Sequence, residues 1–162
     1  MIIAEANIND TELVAPLIAK FRVELKKLKQ IDSDENLEVA KEGFMEYINS
    51  NYPIYIALDE NVCVGYLVCR VDKPNVWVES IYVVESFRRK EVASLMFEQA
   101  EKLAHSYGEE TLYNYVHPNN DKMLKFLAKH GYDVLNLIEI RKKYTDEKTN
   151  MKINVNNFEF DY

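Results

Sequence analysis

The sequence predicts one mixed α/β (α+β) domain spanning residues 1–162, with a mostly antiparallel central sheet of about six to seven strands and helices on both faces. Three observations lead there. Apolar residues at helical spacing alternate with short strand-like runs in the order β-α-α-β-β-β-α-β-α-β-β. The three runs in the middle of the chain are apolar on both faces, as interior strands covered on two sides must be. The chain also has no internal repeat, low-complexity tract or Pro/Gly-rich linker, and its 162 residues suit one core.

The elements follow in order. Ile2–Ala4 is a short apolar start, read as an edge strand. Asn9, with Glu12 three residues on, has the spacing of a capping box. Behind it Leu13, Leu17, Ile18, Phe21, Leu25 and Leu28 form a helical stripe, and Gln30–Asn36 is a polar break. Leu37, Ala40, Phe44, Tyr47 and Ile48 mark a second helix. Ile54–Leu58 and Val62–Val71 flank the polar turn Asp59-Glu60-Asn61, and Val76–Val84 is the third strand of the group. Val92, Met96, Ala100, Leu103 and Tyr107 line a third helix that Gly108 closes. Leu112–Val116 is a short strand. A fourth helix starts at Asn119 or Asn120 and ends at Gly131. Asp133–Tyr144 and Met151–Phe160 read as two closing strands around the polar turn Thr145–Asn150.

Composition removes several function classes. The formal charge of −7 argues against general nucleic-acid binding, which needs a basic face. The same charge suits a cationic small substrate, or simply keeps the chain in solution. No apolar run approaches membrane-span length. Cys63 and Cys69, six residues apart, read as lying on one face of one strand, too far apart to bridge. With no basic region at the start, this predicts a reducing, cytoplasmic setting. His105, His117 and His130 lack ligand-like spacing, the cysteines add no zinc pattern, and the reading assigns no metal. No Ser-His-Asp elbow is visible.

The richest stretch is Val78-Glu79-Ser80-Ile81-Tyr82-Val83, followed by Arg88-Arg89-Lys90-Glu91-Val92-Ala93-Ser94 and the third helix. A strand runs into a basic turn, and the turn opens a helix. The first turn of a helix carries unpaired N–H groups and partial positive charge, so this is an anion site in form. A solvated charged turn before an ordinary helix has the same spacing. Downstream lie Val116-His117-Pro118-Asn119-Asn120 and then Phe126-Leu127-Ala128-Lys129-His130-Gly131-Tyr132.

These two segments together resemble the acetyl-CoA-binding region of the GNAT superfamily of N-acetyltransferases. In that superfamily a strand is followed by Arg/Gln-x-x-Gly-x-Gly/Ala and a helix. A later helix begins near an Asn and ends in Phe-Tyr-x-x-x-Gly-Phe. The resemblance covers roughly residues 1–145. It implies a single acyl-CoA N-acyltransferase domain that takes acetyl-CoA as acyl donor and a primary amine as acceptor. Residues Arg88, Arg89, Lys90, Glu91, Val92, Ala93 and Ser94 would hold the pyrophosphate. The backbone of Ile81, Tyr82 and Val83 would pair with the pantetheine arm, one N–H polarising the thioester carbonyl. Asn120 matches the pantetheine-contacting Asn, or is a plain helix cap. Glu79 matches the strand position of an acidic base that removes the proton of the ammonium. Set among apolar residues, it reads as a buried carboxylate with a raised pKa, or as one half of an ion pair.

Two positions depart from the pattern. Glu91 stands where the superfamily has its first glycine, and a carboxylate about 6 Å from a phosphate charge repels it by roughly 3 kcal/mol before screening. The reading expects Glu91 to turn outward. Leu127 stands where many relatives have a tyrosine that protonates the leaving thiolate, and leucine cannot do so. Tyr115 and Tyr132 flank that helix, and water is a further proton source. These departures support the alternative of a non-catalytic acyl-CoA-binding or regulatory protein on the same fold. The acceptor site is expected at the first two helices, where Asp32, Asp34, Glu35, Glu38, Glu42 and Glu46 cluster. The alternating Met151, Ile153 and Val155 of the tail predict a homodimer.

Overall fold

The computed structural model describes residues 1–162. Its elements are β1 (Ile2–Glu5), α1 (Thr11–Leu28), α2 (Leu37–Asn49), β2 (Ile54–Asp59), β3 (Val62–Asp72), β4 (Asn75–Val83), α3 (Val92–Ser106), β5 (Tyr113–Asn114), α4 (Asp121–Lys129), β6 (Lys152–Val155) and β7 (Phe158–Asp161). No helix is long and apolar enough to cross a membrane. The chain divides into two compact units, Met1–Phe126 and Leu127–Tyr162.

The first unit holds a five-stranded sheet in the order β1-β2-β3-β4-β5. The first three pairings are antiparallel and β4–β5 is parallel. The mixed, mostly antiparallel sheet is therefore present, but the expected single sheet of six to seven strands is divided between two sheets. The doubly apolar runs are indeed its interior strands, β2, β3 and β4.

Register shows how both faces are covered. Tyr66 opposes Tyr82 and Val68 opposes Ser80, on the face where α1 and α2 contribute Val14, Ile18, Ala40 and Phe44 to one core cluster. Gly65 lies on the opposite face, where a Cβ would come within 3.1 Å of Met96 of α3. One buried polar contact crosses the first face, between the Tyr66 hydroxyl and Ser80 Oγ at 2.8 Å. Two bulges interrupt the ladders. Ala57 and Leu58 oppose Gly65 and Cys63, which leaves Val64 unpaired. That offset puts Cys63 in the α1–α2 core cluster, while Cys69 pairs with Val78 on the other face. The two cysteines thus do not share a face as simple alternation predicts. Both are free and buried, and burial pushes their thiols up to about 11 and about 12. The second bulge falls at Glu79.

Local chemistry explains the helix boundaries. The capping box is Asn7 with Asp10, around a short 3-10 turn ahead of α1, rather than Asn9 with Glu12. Asn7 accepts from the Asn9 N–H and Asp10 returns a bond to the Asn7 N–H. Gly108 at φ 86 lets the Glu109 N–H return to the Ala104 carbonyl, which closes α3 as expected.

The second unit departs most from expectation. Asp133–Tyr144 forms no strand. Its doublets Val134-Leu135 and Leu137-Ile138 break strict alternation, and with no strand beside it the backbone has no ladder to join. Met151–Phe160 is not one strand either. It folds back on itself as β6 and β7 around Asn156-Asn157, with Asn156 at φ 53, a residue type that tolerates the left-handed turn of a tight hairpin. An Arg141–Glu147 pair ties the segment before the Thr145–Asn150 turn to the turn itself, and the guanidinium holds the Glu147 carboxyl down to about 2.

Candidate active site

The site lies in the first unit, where β4 parts from β5. The two strands pair only at Trp77 with Tyr113 and Val78 with Asn114. Beyond Val78 the residues Glu79–Val83 keep their β3 partners, with the bulge at Glu79, but have no strand on their other side. Strand backbone left in that state is a template for an extended ligand. The expected strand Leu112–Val116 shrinks to two residues because β4 diverges from it. At the fork Asn114 Oδ1 is buried with no hydrogen-bond partner. The sequence analysis did not single out this orphaned acceptor; its signal was a polar residue inside the run Leu112–Val116.

The basic turn follows β4. Arg89 and Glu91 both have positive φ, 62° and 63°, and curl the chain tightly into α3. Glu91 is the residue before the helix, and its side chain makes no capping bond. The first turn of α3 thus starts without an anionic cap of its own. The glycine of the superfamily pattern has a direct backbone reason at this position, since a left-handed residue is required. Glu91 is exposed, in line with the expected outward turn. Replacing it by glycine removes left-handed strain of about 1–2 kcal/mol, offset in part by the greater unfolded-state entropy of glycine. Glu91→Gly is expected to raise the melting temperature by about 2–4 °C. Glu91→Ala, which keeps the Cβ, should give no such gain in thermal unfolding.

The three cations do not act alike. Arg88 is half-buried. Its Nε donates to the Val83 carbonyl at 2.8 Å and its Nη2 donates to Glu24 Oε1 at 2.6 Å, tying α1 to the end of β4. Its guanidinium also stacks 5.3 Å from the Tyr82 ring. Lys90 lies over Phe87, 4.9 Å from the ring centre, and Arg89 is exposed. Val92 is buried, while Ala93 and Ser94 are half-buried along the first turn of α3. Tyr82 is buried and turns its side chain into the α1–α2 core, so only its backbone is offered to the cleft. Ile81 is half-buried and Val83 is 8% exposed. Asn120 caps α4, its Oδ1 accepting from the Met123 N–H at 3.2 Å.

Glu79 is not the deeply buried carboxylate that the apolar neighbours predict. Its side chain is 35% exposed, and its nearest cation is Arg70, with Nε 3.6 Å from Oε2. The cause is the bulge. Val68 opposes Ser80 and Cys69 opposes Val78, so Glu79 is the extra residue of β4. A bulge turns two successive side chains toward the same side. Glu79 thereby joins Ser80 on the α1–α2 face instead of alternating away from it. Arg70 itself stacks on Trp77 at 4.7 Å and on Tyr115 at 5.7 Å, and its Nε has no hydrogen-bond partner.

Between them α1, α2 and their connection line an open cavity of about 640 Å³. Of the six acids expected there, Asp34, Glu42 and Glu46 line it, together with Arg22, Lys26 and Ser33. Tyr47 links this region to the strand. Burial pushes its phenol up, Glu79 adds to the effect, and Arg22 opposes it. The phenol stays protonated at neutral pH and lies in the field of both groups. Among the histidines, burial and the charge of Lys29 lower His117, whose Nδ1 accepts from the Asn119 N–H at 3.3 Å.

Residues 22–132, more than half of the chain, match the Acetyltransferase (GNAT) family. The chain belongs to this family. No curated protein sequence matches this GNAT chain. Solved structures share its fold at low identity. A probable acetyltransferase is 20% identical, covering 91% of this chain and 100% of its own, with a TM-score of 0.71. The enzyme AAC(6')-Iy, bound to the bisubstrate analogue CoA-S-monomethyl-acetylneamine, is 19% identical, covering 88% and 98%, with a TM-score of 0.65. A ribosomal-protein-alanine N-acetyltransferase from Brucella melitensis biovar Abortus 2308 is 14% identical, covering 89% and 100%, with a TM-score of 0.69.

Proposed function

We propose that this GNAT chain moves an acetyl group from acetyl-CoA directly to a primary amine of a small molecule or peptide. The observation that carries this is the fork between β4 and β5, closed at one end by the left-handed turn and uncapped start of α3. The pantetheine arm lies along Ile81, Tyr82 and Val83 as an added strand, using their backbone. The pyrophosphate sits over the turn from Arg88 to Ser94, where helix N–H groups and the charges of Arg89 and Lys90 meet it. Arg88 serves chiefly to fix the turn, through Glu24 and Val83. Asn120 contributes its side-chain amide while its oxygen caps α4.

Glu79 takes the proton of the incoming ammonium, directly or through one water. The neutral amine attacks the thioester carbonyl, whose oxygen a β4 N–H stabilises. The carbon–sulfur bond then breaks, the CoA thiolate leaves, and the nitrogen gives up its remaining extra proton, through water, to that thiolate. A thiol of pKa about 8.5 is a tolerable leaving group without a dedicated acid, so Leu127 slows the reaction without forbidding it. No metal takes part in this reading, the chain works in the cytoplasm, and residues 1–162 act as one catalytic chain.

Thermal unfolding tests the cofactor half of the proposal. Acetyl-CoA at 100 times its Kd should add about 2.7 kcal/mol, a rise of several degrees. An unchanged midpoint at millimolar acetyl-CoA counts against it. A non-catalytic acyl-CoA-binding protein is the second reading, favoured by Leu127 and by Glu91 at the glycine position. That reading predicts the same thermal shift with no acetylated product. The chain is further proposed to be a homodimer, because Val134, Leu135 and Leu137 are 86%, 75% and 80% exposed. Sedimentation at micromolar concentration should give twice the 19.0 kDa chain mass.

A further inference from the structure

We propose that Arg22 recognises a carboxylate on the acceptor, so that the acceptor carries a free carboxylate as well as the amine that is acetylated. This rests on the acetyl-transfer reading above and names the acceptor class. Arg22 lies in the wall of the α1–α2 cavity. Its Nη1 donates to the Val39 carbonyl at 2.7 Å. A guanidinium has five N–H donors in a planar fork, so most of its capacity remains. Glu42 and Glu46 line the same cavity, yet none of the chain's ion pairs involves Arg22.

The backbone makes room for this group. Gly43 stands inside α2, where glycine is otherwise unfavourable. A Cβ at that position would lie 2.1 Å from Arg22 Nη2. The guanidinium thus occupies the space that a side chain at this position would take. A second polar group in the same wall, Ser33 Oγ, is buried and has no hydrogen-bond partner. A planar cation fork and an orphaned hydroxyl in one cavity fit a carboxylate, which accepts two parallel N–H bonds and has lone pairs left for a hydroxyl. The cavity volume of about 640 Å³ suits a small molecule or the end of a peptide. Its acids then face the cationic part of the same acceptor, and an amphoteric ligand satisfies both signs.

The test is acetyl transfer and calorimetric binding across matched probes: L-lysine and small dipeptides as free acids, their carboxamides, and 1,5-diaminopentane. Free acids should be preferred over their amides by about 10- to 100-fold in kcat/KM, the range for a charge-assisted hydrogen-bonded contact. Arg22→Gln should raise KM for the free acids by a similar factor and leave the amides within about twofold. Gly43→Ala, which suits a helix and displaces the guanidinium, should reproduce that selective loss. Equal use of acids and amides, or equal loss of both in Arg22→Gln, overturns the proposal while leaving acetyl transfer intact. If acetyl-CoA binds and no probe is acetylated, it is the acetyl-transfer reading that fails. Binding of the free acids that depends on Arg22 would then still support carboxylate recognition, and its absence would overturn it.

Discussion

Glu79→Gln is expected to lower kcat by about 10²- to 10³-fold with acetyl-CoA affinity unchanged within about twofold. The amide keeps the size and most contacts of the carboxylate but cannot take a proton. The bulge supplies the geometric reason for a large effect, because it turns Glu79 toward the face of the sheet that α1 and α2 cover. The competing role is the contact with Arg70, at 3.6 Å between groups that are each about one-third exposed. An ion pair so exposed is worth at most about 1 kcal/mol. If that contact were the whole function of Glu79, the variant would lose little stability and no activity. Steady-state turnover and acetyl-CoA titration on the same preparation separate the two cases.

Tyr66→Phe is expected to cost about 1–3 kcal/mol in denaturant unfolding. Tyr66 is fully buried and its hydroxyl meets Ser80 Oγ, a group that is only 4% exposed. Removing one partner leaves the other without a bond in an apolar core. Removing both should cost much less, so Tyr66→Phe with Ser80→Ala should recover part of the loss. Non-additivity of that size marks a direct interaction. Ser80 directly follows the bulge, so this bond fixes the rotation of β4 at the point where Glu79 is aimed. The single variant should therefore also lower kcat, and the double variant should not restore it. Equal stabilities of wild type and Tyr66→Phe would contradict the account.

Much of this was legible in the residues themselves. The stripe of α3 and its closing Gly108 marked that helix. The doubly apolar runs around Asp59-Glu60-Asn61 marked the interior strands. The turn at Arg88–Ser94 and the segment at Asn120 pointed to the family that residues 22–132 match. What was hidden depended on partners distant in sequence. Val76–Tyr82 places apolar residues on both faces, with Glu79 and Ser80 adjacent, so no break in a period-two pattern reveals that Glu79 is the extra residue. Its burial was overestimated for the same reason. Asp133–Tyr144 has strand composition, but a strand exists only when another lies beside it. Asn7 and Asn9 are equally good caps, and the backbone turn decides between them. Arg22 carried no motif at all. Its placement depends on Gly43, 21 positions later in the chain, which the fold brings against it.

The most direct measurement of the central claim is product stoichiometry with acetyl-CoA and a panel of primary amines. One acetylated amine should form for each free CoA thiol released, with no acetylated enzyme accumulating and with the rate collapsing in Glu79→Gln. Acetyl-CoA that binds yet yields no acetylated amine across the panel would contradict it, and would leave the chain a CoA-binding member of the family without the chemistry.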